Sequence, residues 1–314
     1  MVHTIKPEKY SYLFSPNLPP IACVNPGDIV HAYTEDAYCG ALKTMDDVPS
    51  KACETIEFFN PQTGPIYING AEPGDTLVVN FQSIEFTRPY AVTAIITYFG
   101  GLQSTSATRM LQPPLEEKTW IWDLVDNDTA LYCKEIDIKI PVASFCGTVA
   151  TAPKLESISS TAPGYFGGNM DVPDVKPGHK IYLPVNNPGA LFYIGDCHAA
   201  QGQGEVTGAA CEISAKCTLS FELIKGKSIP WPRVESDDKI MVIGSAKPME
   251  DAARIAYGGL IDWMVEDYGF DMFDAYMLCS QVAGLYVGNM VDTTYSLCAS
   301  IEKKYLKPMV KAEE

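Results

Sequence analysis

The sequence is poor in basic residues and in histidine. Its 314 residues include 23 lysines and arginines and 4 histidines against 39 aspartates and glutamates, which gives a formal net charge of −16. A surface this acidic repels phosphate backbones and anionic lipid, which argues against nucleic-acid partners and against binding to a membrane surface. A neutral or cationic small molecule, or a metal ion, fits the charge better, although an acidic surface also serves solubility alone.

Several patterns that carry known chemistry are missing. No run of about 18 apolar residues occurs, so we expect no transmembrane helix. The first residues lack the basic and apolar regions of a signal peptide. The 10 cysteines contain no CxxC pair and are too sparse for a disulfide scaffold. No P-loop, no dinucleotide-binding motif at a βαβ turn and no GxSxG elbow is found. We therefore expect a soluble, cytoplasmic protein.

The sequence does have the mixture of a folded protein, with 46% apolar and 20% charged residues. Three Pro-Gly pairs are each followed by a run of alternating apolar residues. This pattern predicts a type II turn that leads into a strand. These pairs are Pro26-Gly27, Pro73-Gly74 and Pro177-Gly178. Further strand-like runs occupy 190–195, 211–224 and 239–243. Residues 1–245 are therefore predicted to form a mainly β body, a sandwich or a barrel-like structure.

The last part of the chain changes character. Apolar residues at helical spacing predict a helix over 249–269 that Gly269 closes. Asp271 is placed to cap a second helix, which carries apolar residues as far as Leu285. A third helix is predicted over 292–305. Residues 246–314 thus read as a helical segment packed on the β body, and the fold class is α+β.

The most informative polar stretch is GDCHAAQGQGE at 195–205. It ends a predicted strand, so Asp196 and His198 share one face and Cys197 lies on the other. An aspartate and a histidine on one face can bind a divalent metal. Glycines after them let the backbone return Gln201 or Glu205 to the same place. A hydrogen-bonded Asp–His pair in a structural turn explains the same spacing.

Two other polar clusters are candidates for a site. Glu35 and Asp36 end the first Pro-Gly strand, where carboxylates can face a cleft, although most such pairs are simply solvated. Asn169 and Asp171 follow two glycines in the run GGNMD, which suggests a bend with two short polar side chains or an ordinary Asx turn.

Long ordered motifs around these clusters resemble the acetamidase/formamidase family of amide hydrolases. They are NPQTGPIYINGAEPGDTLVV at 60–79, GGNMD at 167–171 with the KPGHKIYLPV segment after it, and ALFYIGDCHAAQGQGE at 190–205. The C-terminal pattern of 252–267 and 275–284 is also similar to that family. The resemblance runs through most of the chain.

The resemblance implies a metal-dependent hydrolase that splits small linear amides, such as formamide or acetamide, into ammonia and a carboxylate with metal-activated water. It implies a divalent metal, zinc, with calcium as a further possibility. By position the metal ligands would be Asp196, His198 and Asp36. Glu205 or Glu35 would move the proton to the leaving ammonia, and the substrate pocket would be shaped by three further residues, Asn169, Asp171 and Gln201. A homo-oligomer is also implied.

Two positions depart from the family pattern. Phe166 stands where relatives commonly have histidine, and Gln203 stands where they commonly have aspartate. Two alternatives to the metal-dependent amidase therefore stay open. One is a non-catalytic β-sandwich binding or assembly protein on the same scaffold. The other is a cysteine-dependent amidase, with Cys146 or Cys197 as nucleophile, although a buried apolar role is the default for each cysteine.

Overall fold

The computed structural model describes residues 1–103, 111 and 113–308, and strands dominate it. In chain order they are β1 (Val2–Ile5), β2 (Leu13–Phe14), β3 (Ala22–Val24), β4 (Ile29–Thr34), β5 (Gln62–Ile68), β6 (Thr76–Phe86), β7 (Tyr90–Ile95), β8 (Lys118–Val125), β9 (Ala130–Cys133), β10 (Ile138–Pro141), β11 (Phe145–Ala150), β12 (Ile158–Ser159), β13 (Gly167–Asn169), β14 (Lys180–Pro184), β15 (Phe192–His198), β16 (Ala215–Ile224), β17 (Arg233–Glu235), β18 (Lys239–Ala246), β19 (Gly284–Asn289) and β20 (Tyr295–Glu302). The helices are α1 (Pro49–Ala52), α2 (Met249–Tyr268) and α3 (Met272–Val282), with a 3-10 turn at Lys303–Tyr305.

The strands form four open sheets, most of whose pairings are antiparallel. The largest has nine strands in the order β1-β4-β16-β6-β14-β17-β18-β20-β19, and the second has five in the order β13-β11-β15-β5-β3. A four-stranded sheet, β10-β9-β8-β7, and the pair β12-β2 complete the set. The two large sheets pack face to face, with the rings of Phe192 and Phe221 5.1 Å apart. The described chain is therefore a sandwich with no closed barrel, which confirms the α+β class with a β body.

The Pro-Gly turns have the backbone that their sequence predicts. Gly27, Gly74 and Gly178 have φ values of 85°, 96° and 85° and lie just before β4, β6 and β14. Glycine adopts this left-handed conformation without steric cost, so each turn delivers the chain directly into a strand. All three strands belong to the nine-stranded sheet.

The first two C-terminal helices are confirmed. Gly269 ends α2 in the left-handed conformation, and the Asp271 carboxylate accepts hydrogen bonds from two backbone N–H groups at the start of α3. The apolar face of α2 packs on β18 and β20. The second helix ends at Val282, however, and Leu285 lies in β19.

The third predicted helix, over 292–305, is wrong. Most of this segment, Tyr295–Glu302, forms β20, which pairs with β18 and β19 and extends the nine-stranded sheet. Cys298 faces the core between the sheets, whereas Ala299 and Ile301 face the helices. Because both faces of β20 are buried, its sequence lacks the polar alternation that marks a half-exposed strand. The segment after 246 is therefore two helices followed by two strands.

Strand β15 lies at the centre of the five-stranded sheet, and its carboxyl end positions the site. His198 closes the strand and forms an isolated bridge with Glu212, which also bridges to Val92 of β7. Three sheets therefore meet at this end of β15. No helix in the described part of the chain is long and apolar enough to cross a membrane.

Candidate metal and amide site

The end of β15 presents Asp196 and His198 on one side and Cys197 on the other. Asp196 Oδ1 lies 3.4 Å from His198 Nε2. Cys197 Sγ instead lies 3.5 Å from Cys217 Sγ, in the core between the two large sheets. This confirms the alternation predicted for the strand.

Three more carboxylates join the Asp–His pair. Asp171 follows β13, Glu205 lies in the loop after β15, and Glu212 lies just before β16. Possible ligand atoms of Asp171, Asp196 and His198 lie within 4.8 Å of one another, and so do those of His198, Glu205 and Glu212. All five side chains are buried. We call these five residues the acidic cluster.

Gln201 fixes the tautomer of His198. The Gln201 side-chain N–H group donates to two backbone carbonyl oxygens, each 3.0 Å away, so its Oε1 faces His198 Nδ1 at 2.9 Å. Because an amide oxygen only accepts, Nδ1 must carry a hydrogen and donate it. Nε2, the ring nitrogen left for a ligand when the imidazole is neutral, faces Asp196 and Glu212, with an oxygen of each 3.4 Å away. Such a buttressed imidazole is the usual arrangement of a metal-binding histidine.

Unpartnered atoms test whether a cation fits here. Asp171 Oδ1, His198 Nε2 and Glu212 Oε2 are buried and have no hydrogen-bond partner in the described structure. A Cβ added to Gly147 would lie 2.6 Å from Asp171 Oδ1 and 2.7 Å from Asp196 Oδ2, so only glycine leaves this side of the cluster open. Buried polar atoms are rarely left unpaired, and carboxylates with one imidazole are ligands that zinc accepts. The residues fit a divalent metal.

The pKa shifts of the acidic cluster also fit a divalent cation. Burial, reinforced by neighbouring carboxylates, raises the pKa of Asp171 and of Glu205 well above the usual range. Burial also raises the pKa of Glu212 to about 7. For His198, burial opposes the charged form, but Glu212 and Asp196 outweigh it and raise the pKa of the ring. Burial and mutual repulsion therefore disfavour the ionised carboxylates around this imidazole, and a divalent cation would stabilise their charged forms.

A cavity of about 260 Å³ lies against the acidic cluster. Asp196, Glu205 and Glu212 line it, together with Asn169 and Asp292. Its apolar wall comprises Tyr38, Phe58, Phe59, Ile96 and Phe99. This volume is ample for a small organic molecule. A second cavity of about 420 Å³ also has Glu205 in its lining, so this side chain contacts both.

The structure does not bring Asp36 or Glu35 into the acidic cluster. Asp36 Oδ1 accepts hydrogen bonds from the backbone N–H groups of Tyr38, at 2.7 Å, and Gly40, at 3.1 Å. The other Asp36 oxygen pairs with Arg88, whose guanidinium also lies 3.6 Å from Glu35 Oε1. The short turn after β4 folds the Asp36 carboxylate back onto its own backbone. Asp36 therefore holds this turn and is not in either group of close ligand atoms.

The three predicted pocket residues have different positions. Asn169 lines the 260 Å³ cavity, and its Nδ2 donates to Asp292 Oδ2 at 3.0 Å. Its Oδ1 accepts hydrogen bonds from two other side chains, so both ends of the amide have protein partners. Asp171 belongs to the acidic cluster, and Gln201 lies behind His198 in the lining of the second cavity.

Three residues of the site are absent from the sequence-based prediction. Glu212 is the charged residue at the start of the apolar run 211–224, which is the one signal that marks it. Asp292 follows β19 and lies at the start of the segment that the sequence wrongly predicts to be a third helix. Tyr38 lies in the same TEDAYCG run as the two predicted carboxylates.

The two departures from the family pattern lie outside the acidic cluster. Phe166 is buried against Phe14, with ring centroids 5.5 Å apart, and belongs to a separate apolar group. Gln203 is exposed and lines the second cavity. The cluster therefore has its imidazole and four carboxylates without a contribution from either position.

Comparisons with known proteins identify the family of the chain. The model of the acetamidase/formamidase family matches residues 6–162 and 152–301. A putative formamidase from Schizosaccharomyces pombe is 25% identical over 257 residues, which cover 67% of this chain and 63% of that protein. An acetamidase from Mycolicibacterium smegmatis is 26% identical over 269 residues, which cover 67% and 65%. The match thus spans a little less than two thirds of these curated relatives.

Solved structures are similar over nearly the whole chain. An acetamidase from Yersinia enterocolitica is 42% identical with a TM-score of 0.92, and the match covers 97% of this chain and 92% of that one. An acetamidase from Bacillus halodurans is 28% identical with a TM-score of 0.85, over 97% and 98% of the two chains. The family model matches most of the sequence and the fold matches these solved structures, so the chain belongs to the acetamidase/formamidase family.

Proposed function

We propose that this protein hydrolyses the carbon–nitrogen bond of small linear amides, releasing ammonia and a carboxylate, with a divalent metal in the acidic cluster. The observation that carries the metal is the set of three buried, unpartnered ligand atoms on Asp171, His198 and Glu212. The adjoining cavity supports a small substrate. The names of the relatives support an amide as that substrate.

The proposed ligands are Asp171, Asp196, His198 and Glu212. Zinc accepts histidine and carboxylate ligands in this way, and calcium would use the carboxylate oxygens alone. When bound, the ion would lower the pKa of a water molecule and polarise the amide carbonyl. Gln201 holds the imidazole so that Nε2 faces the ion, which makes Gln201 a positioning residue.

Proton transfer is assigned to Glu205. The leaving amide nitrogen must gain a proton before it departs as ammonia, and a positioned carboxyl group is a common donor. Glu205 lines the cavity, and its carboxyl group is buried beside the proposed metal ligands His198 and Glu212. Glu35 is half-buried beside Arg88 and does not line this cavity, so the structure favours Glu205 over Glu35.

Neutral amides suit the charge of the cavity. Its charged lining residues are Asp196, Glu205, Glu212 and Asp292, all acidic. An anionic substrate would meet repulsion here, whereas a neutral amide would not. The apolar wall favours a carbon substituent on the carbonyl.

Neither alternative function gains support from the described residues. Cys146 and Cys197 are buried and line none of the cavities described above. Phe166, which motivated the non-catalytic reading, packs in an apolar group away from the ligands.

All ten cysteines are free thiols, which supports a reducing compartment such as the cytoplasm.

Ammonia release from a panel of small amides tests this function. We expect turnover of formamide, acetamide or propionamide that a chelator abolishes and added zinc restores, because the proposed chemistry needs the ion. A thiol reagent should leave the rate unchanged. Turnover that resists the chelator but not the thiol reagent would support the cysteine-dependent alternative, and none across the panel would support the non-catalytic one.

We also propose that the protein is a homo-oligomer that associates through α3. Phe273, Tyr276 and Met277 are 72%, 65% and 69% exposed on this helix, and a groove of about 840 Å³ lies between α2 and α3. Contiguous exposed apolar surface is typical of an interface. Light scattering should give a multiple of the 34.3 kDa chain mass, and Phe273→Glu should shift it toward one chain. A wild-type mass near 34.3 kDa at micromolar concentration would contradict this proposal.

A further inference from the structure

Tyr38 is a buried residue of the cavity whose hydroxyl group has no partner. The side chain is 1% exposed and lines the 260 Å³ cavity together with Asp196, Glu205 and Glu212. Its Oη has no hydrogen-bond partner in the described structure. A buried hydroxyl group without a partner destabilises the fold. A bound molecule that accepts its hydrogen bond would explain why the hydroxyl group is present.

The backbone around Tyr38 is firmly held. Asp36 Oδ1 accepts the Tyr38 N–H at 2.7 Å and the Gly40 N–H at 3.1 Å. Arg88 pairs with the same carboxylate. The ring of Tyr38 packs edge-to-face on Phe59, with centroids 5.9 Å apart and planes at 90°. The turn that holds Asp36 thus serves to fix the position of the phenol.

The cavity offers few other donors for a bound amide. Among its described lining residues, Asn60, Thr161 and Asn169 also carry side-chain donors. Asn60 Nδ2 donates to Ser160 O and Asn169 Oδ1, Thr161 Oγ1 pairs with Ser159 Oγ, and Asn169 Nδ2 donates to Asp292. The carboxylates of the lining are acceptors when ionised. Each of these three side chains thus has a protein partner, whereas the Tyr38 hydroxyl has none in the described structure.

We propose that Tyr38 Oη donates a hydrogen bond to the carbonyl oxygen of the bound amide and keeps it as that oxygen becomes an oxyanion. This inference rests on the proposed amidase function. When water adds to the carbonyl carbon, the π electrons move onto the oxygen, and a preorganised donor stabilises the charge that develops there. The phenol keeps its own proton throughout. Tyr38 is thus a catalytic residue that contacts a reacting atom.

Tyr38→Phe tests the role, with Tyr12→Phe as the matched control. Tyr12 Oη contacts Cys39 Sγ at 3.3 Å, on the same turn, and Tyr12 is not part of the cavity lining. Loss of one oxyanion donor costs about 10²–10³ in kcat, so we expect a fall of about that size in Tyr38→Phe. KM and metal content should stay near the wild-type values, and Tyr12→Phe should keep its kcat.

Thermal unfolding separates a catalytic from a structural hydroxyl. Because the Tyr38 hydroxyl has no partner in the folded chain, Tyr38→Phe should unfold at the same or a higher temperature than wild type. A lower Tm, or a kcat equal to that of an active wild type, would overturn the role of Tyr38 alone. A wild type that releases no ammonia from any amide would instead contradict the proposed function, and the oxyanion role with it.

Discussion

His198→Ala should lose the bound metal and the amidase activity together. His198 belongs to both groups of close ligand atoms, and its removal leaves buried carboxylates facing one another without their imidazole. Metal catalysis is worth several kcal/mol, and each 1.4 kcal/mol or so is tenfold in rate, so we expect a fall of about 10³-fold or more. Elemental analysis and ammonia release on the same preparation measure both effects.

Cys197→Ala is the matched control for His198→Ala. Cys197 is the neighbouring residue on β15, equally buried, and its Sγ faces Cys217 in the core rather than the acidic cluster. We expect metal content and kcat near the wild-type values, with a stability loss of about 1 kcal/mol for the small cavity created. A His198→Ala protein that keeps its metal and full activity would contradict the ligand role.

Glu205→Gln should lower kcat strongly and leave the bound metal in place. Glutamine keeps the size of the side chain but cannot give a proton to the leaving nitrogen. General acid–base groups contribute about 10²–10⁴-fold, so we expect kcat to fall within that range. Metal content should remain near one ion per chain, since Glu205 is assigned to proton transfer and not to binding the ion.

Glu222→Gln gives the control for this substitution. Glu222 lies in β16, is exposed, and accepts a hydrogen bond from Asn80 at the surface. Its kcat should match that of wild type. If Glu205→Gln lost metal in proportion to activity, Glu205 would be a ligand instead, and if it kept the wild-type kcat, another group would move the proton.

The sequence predicts the β body well because its signals are local. A Pro-Gly pair sets the turn, and the alternating residues behind it set the strand, as for β4, β6 and β14. Glycine and aspartate mark the end of α2 and the start of α3 in the same local way. The segment 292–305 fails because β20 is buried on both faces, which removes the period of two that distinguishes a strand.

The sequence predicts part of the site, through the alternation of one strand and through the family motifs that contain Asp171, Glu205 and Gln201. Asp196 and His198 lie two apart on β15, so alternation brings them together. Asp171 and Glu212 reach them from other elements, and no local pattern encodes that meeting. Asp36 is the opposite case. The family resemblance predicts a metal ligand at this position, but the Asp36 carboxylate pairs with Arg88 and accepts a hydrogen bond from the Tyr38 N–H group. Long-range packing decides which acidic side chains converge.

Anomalous scattering from crystals of the active protein, measured above and below the zinc absorption edge, shows directly whether zinc is bound in the acidic cluster. We expect one strong peak, present above the edge and absent below it, between Asp171, Asp196, His198 and Glu212. Crystals of His198→Ala should lack that peak. Fully active crystals with no anomalous peak at these four side chains would contradict the metal-dependent mechanism.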